Sequence, residues 1–309
     1  MNFIVFPGQG SQKIGMGKKL SESFPEAKEV FDEVNDALNL NLTKIMWDGS
    51  DSEISLTTNA QPALMACGVA AFRVLSKLKD KNLKQLADFT AGHSLGEYTA
   101  MTVSQVFSLK ECAVLLRLRG DAMQQAVPVD KGAMAALIGV NINQTIEIIE
   151  KAQIHGICDI GNDNADGQIV ISGDAKAVEN AIEIAKSNGA KRAILLPVSA
   201  PFHCRLMQPA SEIMQEALNN LKFNAPLIPV VSNITALPHT DPLTLRKNLI
   251  DQVTGTVRWR ETMEFAKNQG VKKITELGSG KVLTGIAKRM IKDITSESFE
   301  NPEDFDSLL

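Results

Sequence analysis

Gly92-His93-Ser94-Leu95-Gly96 constrains this chain more than any other segment. It matches G-x-S-x-G and has the flanks that pattern needs: a short apolar run, Ala87-Asp88-Phe89-Thr90-Ala91, before it and helix-forming sequence after it. A serine at a tight strand-to-helix turn sits in a strained backbone, and glycines on either side relieve clashes with neighbouring strands. Its hydroxyl is then held at a helix N-terminus, where free N–H groups and the dipole favour developing negative charge. Strand, turn and helix in this order imply an α/β domain with a mostly parallel sheet. By itself the pentapeptide supports only a serine enzyme. A glycine-rich turn that merely starts a helix is the plain alternative.

The rest of the chain fits around that unit. Residues 2–6 read as a buried strand that runs into a glycine-rich loop, Pro7-Gly8-Gln9-Gly10-Ser11-Gln12. Helices are expected near 21–39 and 59–79, and helical composition continues after the serine turn to about Val127. Val127-Pro128-Val129-Asp130-Lys131-Gly132 breaks the periodicity as a linker would. Beyond it come a strand (133–140), a helix (143–153) and a strand (154–161). A turn rich in Asn, Asp and Gly then leads to a strand (168–172), a helix (175–188) and a strand (191–196). That β-α-β-β-α-β order is the ferredoxin-like arrangement. We expect a large α/β domain from 1–127 and 200–309, interrupted by a small subdomain at 128–199. In the returning half a helix is expected near 205–221, a strand near 228–232, and helices near 242–252 and 258–268. A strand at 273–276 then meets Leu277-Gly278-Ser279-Gly280 and a last helix from about Val282. Glu297–Leu309 is acidic and aperiodic and reads as a loosely ordered tail.

A serine nucleophile needs a base. The histidines are His93, His155, His203 and His239. His93 adjoins the serine and should point elsewhere, His155 belongs to the small subdomain, and His239 lies in a Pro-His-Thr-Asp loop that reads as solvated surface. His203 closes Val198-Ser199-Ala200-Pro201-Phe202-His203, between a strand and a helix, where active sites of sheet folds gather. Elimination favours it only modestly. Arg117 and Arg119, two apart on a helix, point in different directions, so at most one can face the serine. An inward arginine there could hold a carboxylate by a bidentate fork.

Several classes drop out. A net charge of −4 argues against a nucleic-acid binder. No HxxxH or paired CxxC spacing suggests a metal, and neither Gly8–Lys18 nor Gly278-Ser279-Gly280-Lys281-Val282 satisfies a nucleotide-binding loop. Four scattered cysteines fit reduced thiols, and the N-terminus lacks the basic and apolar regions of a signal peptide. The longest apolar stretch, Ala63–Phe72, is well short of the about 20 residues a membrane helix needs. A cytoplasmic location without membrane or nucleic-acid partners is the expectation.

Together, Phe6–Gln12, Gly92–Tyr98, Arg117–Gly120, Asn162-Asp163-Asn164 with Gly167-Gln168, Val198–His203 and Val231-Ser232-Asn233 occur in one order. In that order they closely resemble the malonyl-CoA:acyl carrier protein transacylase family of bacterial fatty acid synthesis, from about residue 3 to 292. The resemblance implies an α/β-hydrolase-like core with an inserted ferredoxin-like subdomain. It implies a covalent malonyl-Ser94, His203 as base, an oxyanion hole from the N–H groups of Gln9 and Leu95, and Arg119 as clamp for the malonyl carboxylate. Gln252 corresponds to the residue whose main-chain carbonyl orients the histidine, making a dyad with no third acid. Asn162 is implied as a polar position near the subdomain interface, and Phe202 as a bulky neighbour that would crowd an α-methyl group. The implied partners are malonyl-CoA and acyl carrier protein, with coenzyme A entering as a substrate thioester and no cofactor or metal; a free-standing monomer is expected. Since carrier proteins are strongly acidic, Lys191, Arg192, Lys288 and Arg289 are the candidate docking patch. A serine esterase or thioesterase on the same turn is the competing reading, and a non-catalytic binding module is a third.

Overall fold

The computed structural model describes residues 1–308. The strands among them are β1 (Asn2–Phe6), β2 (Phe89–Gly92), β3 (Gly132–Ile138), β4 (Cys158–Ala165), β5 (Gln168–Asp174), β6 (Arg192–Leu195), β7 (Val230–Val231), β8 (Pro238–His239), β9 (Lys273–Leu277) and β10 (Thr295–Phe299). Six of them form one sheet in the order β10-β9-β1-β2-β7-β8. All neighbours in it run parallel except the short β7–β8 pair at one edge. Both faces are covered, which is why β1 is apolar at four successive positions. Ile4 and Phe6 pack with Leu64, Leu95 and Leu116 from the helices Thr57–Lys79, Leu95–Val103 and Leu109–Gln125. Phe3 and Val5 pack on the other side with Trp259, Met263, Leu283 and Ile286 from the helices Trp259–Asn268 and Val282–Met290. The apolar run Ala63–Phe72 is the centre of a core helix, and among the described residues no helix is long and apolar enough to cross a membrane.

The other four strands form an antiparallel sheet in the order β4-β5-β3-β6. The helices Ile142–Ala152 and Ala175–Ser187 bury their apolar stripes on it, so Leu137, Ile148, Ile171 and Val178 share a separate small core. This unit is pinned to the large sheet's surroundings along one seam. Asn162 bridges Val257, the Asp163 N–H donates to the Val257 carbonyl at 2.9 Å, and Val257 N–H donates to the Gly161 carbonyl at 2.9 Å. Arg260 Nε lies 2.9 Å from Asp163 Oδ2, an ion pair whose carboxylate is almost wholly buried.

Four local expectations change. Asn162-Asp163-Asn164 is strand, not turn, because β4 continues through register irregularities to Ala165 and pairs with Val257 as well as β5. The turn is the pair Asp166-Gly167, with Gly167 at φ 68°, a backbone that glycine adopts without strain. The helix expected at 21–39 is two, Lys18–Ser23 and Pro25–Leu38, because Phe24 is extended before a proline. His239 is half-buried in β8, 2.8 Å from Thr235 Oγ1, and not a solvated loop residue. The segment after Glu297 is not a loose tail. Its residues complete β10, and the 3₁₀ turn Pro302–Leu308 inserts Phe305, 0% exposed, against Phe24 and Phe299. Acidic composition hid a single aromatic anchor; Leu309 of that stretch lies outside the described residues.

Candidate active site

The carboxyl ends of β1, β2 and β7 converge on Ser94, the position where open parallel sheets leave a crevice. Ser94 follows β2, has φ 53° and ψ −110°, and caps the helix Leu95–Val103. The flanking glycines are required by contact. A Cβ on Gly92 would lie 1.9 Å from the carbonyl group of Gly96, and one on Gly96 would lie 2.3 Å from the Phe6 carbonyl oxygen. Those approaches force the strand to turn sharply and leave the serine hydroxyl projecting from the sheet.

His203 Nε2 is 2.7 Å from Ser94 Oγ, and its Nδ1 is 2.9 Å from the Gln252 carbonyl oxygen. A carbonyl can only accept, so Nδ1 carries the proton and Nε2 presents its lone pair to the serine. No carboxylate takes part in that pairing. Burial first, and the neighbouring Arg119 charge second, push the His203 pKa down to about 3. The imidazole is therefore neutral near pH 7 and able to receive a proton.

Arg119 comes from the helix Leu109–Gln125 and is 1% exposed. Its Nη2 donates to Ser94 Oγ at 3.1 Å and to Gln252 Oε1 at 2.8 Å, and its Nη1 donates to Gln61 Oε1 at 2.7 Å. The guanidinium lies over the Tyr98 ring, 5.5 Å from its centroid. Burial pulls its pKa down against the opposing pull of Tyr98 and Glu97. Arg117 points away, to Asn59 Oδ1 at 2.6 Å and toward Asp121. The two arginines thus part as their helical spacing requires.

The loop after β1 lies beside the serine turn, since a Cβ on Gly8 would fall 2.7 Å from the His93 carbonyl oxygen. Gln9 in that loop accepts from Thr57 Oγ1 at 2.5 Å. Leu95 opens its helix, so its N–H has no intrahelical acceptor. Phe202 is 8% exposed and packs into the core beside His203. Asn162 sits on the seam with Val257, and it is Asn164 whose side chain reaches the serine turn, 2.8 Å from His93 Nε2. Lys191, Arg192, Lys288 and Arg289 are all exposed. Arg289 Nη2 donates to Gln168 Oε1 at 2.8 Å, Gln168 pairs with Ile138, and Ile138 pairs with Arg192. Arg289 thus reaches β5 by its side chain from a helix packed beside β4, whereas Lys191 and Arg192 lie at β6, two strands further across the antiparallel sheet.

Sequence reasoning missed Gln61 and gave no role to Glu97 or Asn233, though both lie in motifs quoted above. Asn233 Oδ1 accepts the Ser94 N–H at 2.7 Å, and its Nδ2 donates to the Gly92 carbonyl at 2.7 Å, so it clasps the turn from β7. A signal existed for Gln61, a polar residue at the mouth of an apolar run, and for Asn233, a polar residue just past a buried strand. Among the described residues no cluster of three metal-ligating side chains occurs.

Comparison with known proteins bears on this arrangement of serine, histidine and buried arginine. Residues 3–298 match the acyl transferase domain model. The chain belongs to the acyl transferase family. The malonyl CoA-acyl carrier protein transacylase of Bacillus subtilis (strain 168) is 42% identical over 97% of this chain and 93% of the relative. That of Escherichia coli (strain K12) is 39% identical over 97% of this chain and 96% of the relative. Among solved structures of the family, the acyl-carrier-protein-S-malonyltransferase of Bartonella henselae superposes with a TM-score of 0.97 at 51% identity, covering 99% of this chain and 97% of the other. A malonyl-transacylase solved in complex with its type II polyketide synthase acyl-carrier protein superposes with a TM-score of 0.95 at 37% identity, covering 100% and 98%. This acyl transferase therefore shares a mixed α/β fold with a parallel sheet across almost its whole length.

Proposed function

We propose that this enzyme transfers the malonyl group of malonyl-CoA to the thiol of holo acyl carrier protein through a malonyl ester on Ser94. The observation that carries the reading is the fully buried Arg119 guanidinium, 3.1 Å from the serine oxygen that His203 also touches. A buried cation beside the nucleophile suits an acyl group that ends in a carboxylate, which a simple esterase has no need to bind.

The residues divide the chemistry as follows. His203 Nε2 takes the Ser94 hydroxyl proton as Oγ attacks the thioester carbonyl, while Gln252 holds the ring through its main-chain oxygen. The N–H groups of Leu95 and Gln9 receive the oxyanion, and Arg119 holds the malonyl carboxylate. The C–S bond breaks, and the coenzyme A sulfur leaves with the proton from His203. In the second half His203 takes the proton of the carrier thiol, whose sulfur attacks the ester and returns Ser94 to its hydroxyl form. Ping-pong kinetics follow. No cofactor or metal is called for in either half.

We read 128–199 as a ferredoxin-like insertion into a hydrolase-like core of 1–127 and 200–309, a reading supported by the strand order β4-β5-β3-β6 with two helices on one face. The exposure of Lys191-Arg192 and Lys288-Arg289 supports both pairs as docking residues for an acidic carrier protein. The bulk of Phe202 supports a preference against α-methyl substrates, and one methyl discriminates by only about 1–3 kcal/mol.

Intact mass after incubation with malonyl-CoA tests the reading. A stable malonyl adduct, absent in Ser94→Ala and passed on to holo carrier protein, is expected. Release of free malonate without transfer would establish a hydrolase, and no adduct at all would leave a binding module.

A further inference from the structure

Glu97 lies one turn into the helix that starts after Ser94, is 0% exposed, and has no part in the chemistry above. Its Oε2 accepts the Asn233 backbone N–H at 3.1 Å and lies 2.7 Å from the Gln252 side-chain nitrogen. Its Oε1 is buried without a partner. The Ser94 carbonyl oxygen, 3.0 Å from that same nitrogen, can only accept, so the end of the Gln252 amide that meets Oε2 is the NH2 group. The amide oxygen then faces Arg119 Nη2 at 2.8 Å. Arginine has no acceptor, so a flipped amide would set donor against donor at Arg119 and acceptor against acceptor at Glu97.

We propose that Glu97 is a positioning residue for acyl selectivity: it accepts from the Gln252 amide, turns that amide's oxygen toward Arg119, and so holds the guanidinium ready for the substrate carboxylate. This rests on the malonyl reading above. Among the described residues one other side-chain amide, that of Gln61, holds Arg119, so slack at Gln252 passes directly to the clamp. Burial raises the Glu97 carboxyl pKa, opposed by the Asn233 N–H, the Gln252 and Ser232 side chains and, last, the Arg119 charge. A neutral carboxyl with its proton on Oε1 leaves Oε2 as acceptor, as the ionised form does, so the device works through geometry and not through charge.

Glu97→Met removes the acceptor at similar volume, while Glu97→Gln keeps an acceptor oxygen. Both variants and the parent are compared for acylation by malonyl-CoA and by acetyl-CoA, with folding checked by thermal melts. In Glu97→Met the KM for malonyl-CoA rises about tenfold, the effect of one lost hydrogen bond near a charged group. Its kcat and its acetyl-CoA kinetics stay close to the parent's, and Glu97→Gln restores the malonyl preference. Unchanged preference in folded Glu97→Met overturns the proposal. Equal loss in Glu97→Gln assigns the effect to charge and overturns it too, as does a parallel fall with both substrates. If Glu97→Met does not fold, Glu97→Asp, which withdraws the oxygens by one methylene, is read with the same expectation. A parent that forms a malonyl adduct separates the two ideas, because then only the positioning role is at stake; a parent that forms none sinks both.

Discussion

Ser94 at φ 53° and His203 at φ 59° both hang from left-handed backbone, where a non-glycine residue costs about 1–3 kcal/mol. The surrounding contacts hold that strain: Asn233 on the serine side, the Gln252 carbonyl on the histidine side. The depressed pKa of His203 has a direct consequence for the pH profile. Acylation of Ser94 requires neutral imidazole, so its rate should stay high as pH falls through 6.5 and decline only toward about 3. Single-turnover acylation followed by mass across that range checks this, and an acid limb centred at 6.5 or above would refute it. Stability responds earlier than the rate. The unfolded histidine takes up its proton from about 6.5 downward while the folded one resists until about 3, so folding free energy is lost across that window. At the same scale, Arg119→Ala should raise KM for malonyl-CoA at least about tenfold and improve the relative use of uncharged acyl thioesters. Unchanged malonyl kinetics would remove the clamp assignment. Its sequence neighbour Arg117 was separable only once the helix phase was known.

The decisive element is the turn between β2 and its helix. Its strand, tight bend and helix start were legible because each rests on local chemistry: an apolar run, two glycines and helix formers. What the local pattern could not show is how near Phe6 and Gly96 approach, because β1 and the turn are remote in sequence. Gly92→Ala places a Cβ 1.9 Å from backbone that cannot move aside. Overpacking of this kind costs at least about 1–3 kcal/mol, so the variant should melt several degrees lower or fail to fold. A circular-dichroism melt matching the parent would show that the turn has room to relax. Strand β4 teaches the complementary lesson. Asn162-Asp163-Asn164 carries turn composition, yet pairing with β5 and Val257 makes it strand, a tertiary override of propensity.

Across the whole molecule, the large sheet is completed from both ends of the chain. β1 sits at its centre while β9 and β10 return from the far end, and the final turn closes over them through Phe305. Phe305→Ala should therefore cost about 3–5 kcal/mol, the usual penalty for emptying a buried aromatic site. Urea unfolding measures it, and a loss under about 1 kcal/mol would restore the loose-tail view. The proposed docking of carrier protein at Lys191-Arg192 and Lys288-Arg289 also belongs to this scale, since the two pairs are remote in sequence. Reversing charge at Lys288 and Arg289 should slow transfer to carrier protein and flatten its salt dependence, with Ser94 acylation by malonyl-CoA unaffected. Equal transfer rates in parent and variant would place docking elsewhere.

Local order along the chain sufficed for the α/β class, the serine turn and the family, because each depends on residues near one another or on motifs in a set order. The site's supporting polar network did not follow from it. Gln61, Glu97, Asn233 and Gln252 come from four separate segments, and their meaning lies in which oxygen faces which nitrogen. A hydrogen bond is decided at a few ångströms, over distances that only the packed chain sets. The same reason explains the tail, whose one buried ring has no signature until a pocket exists to receive it.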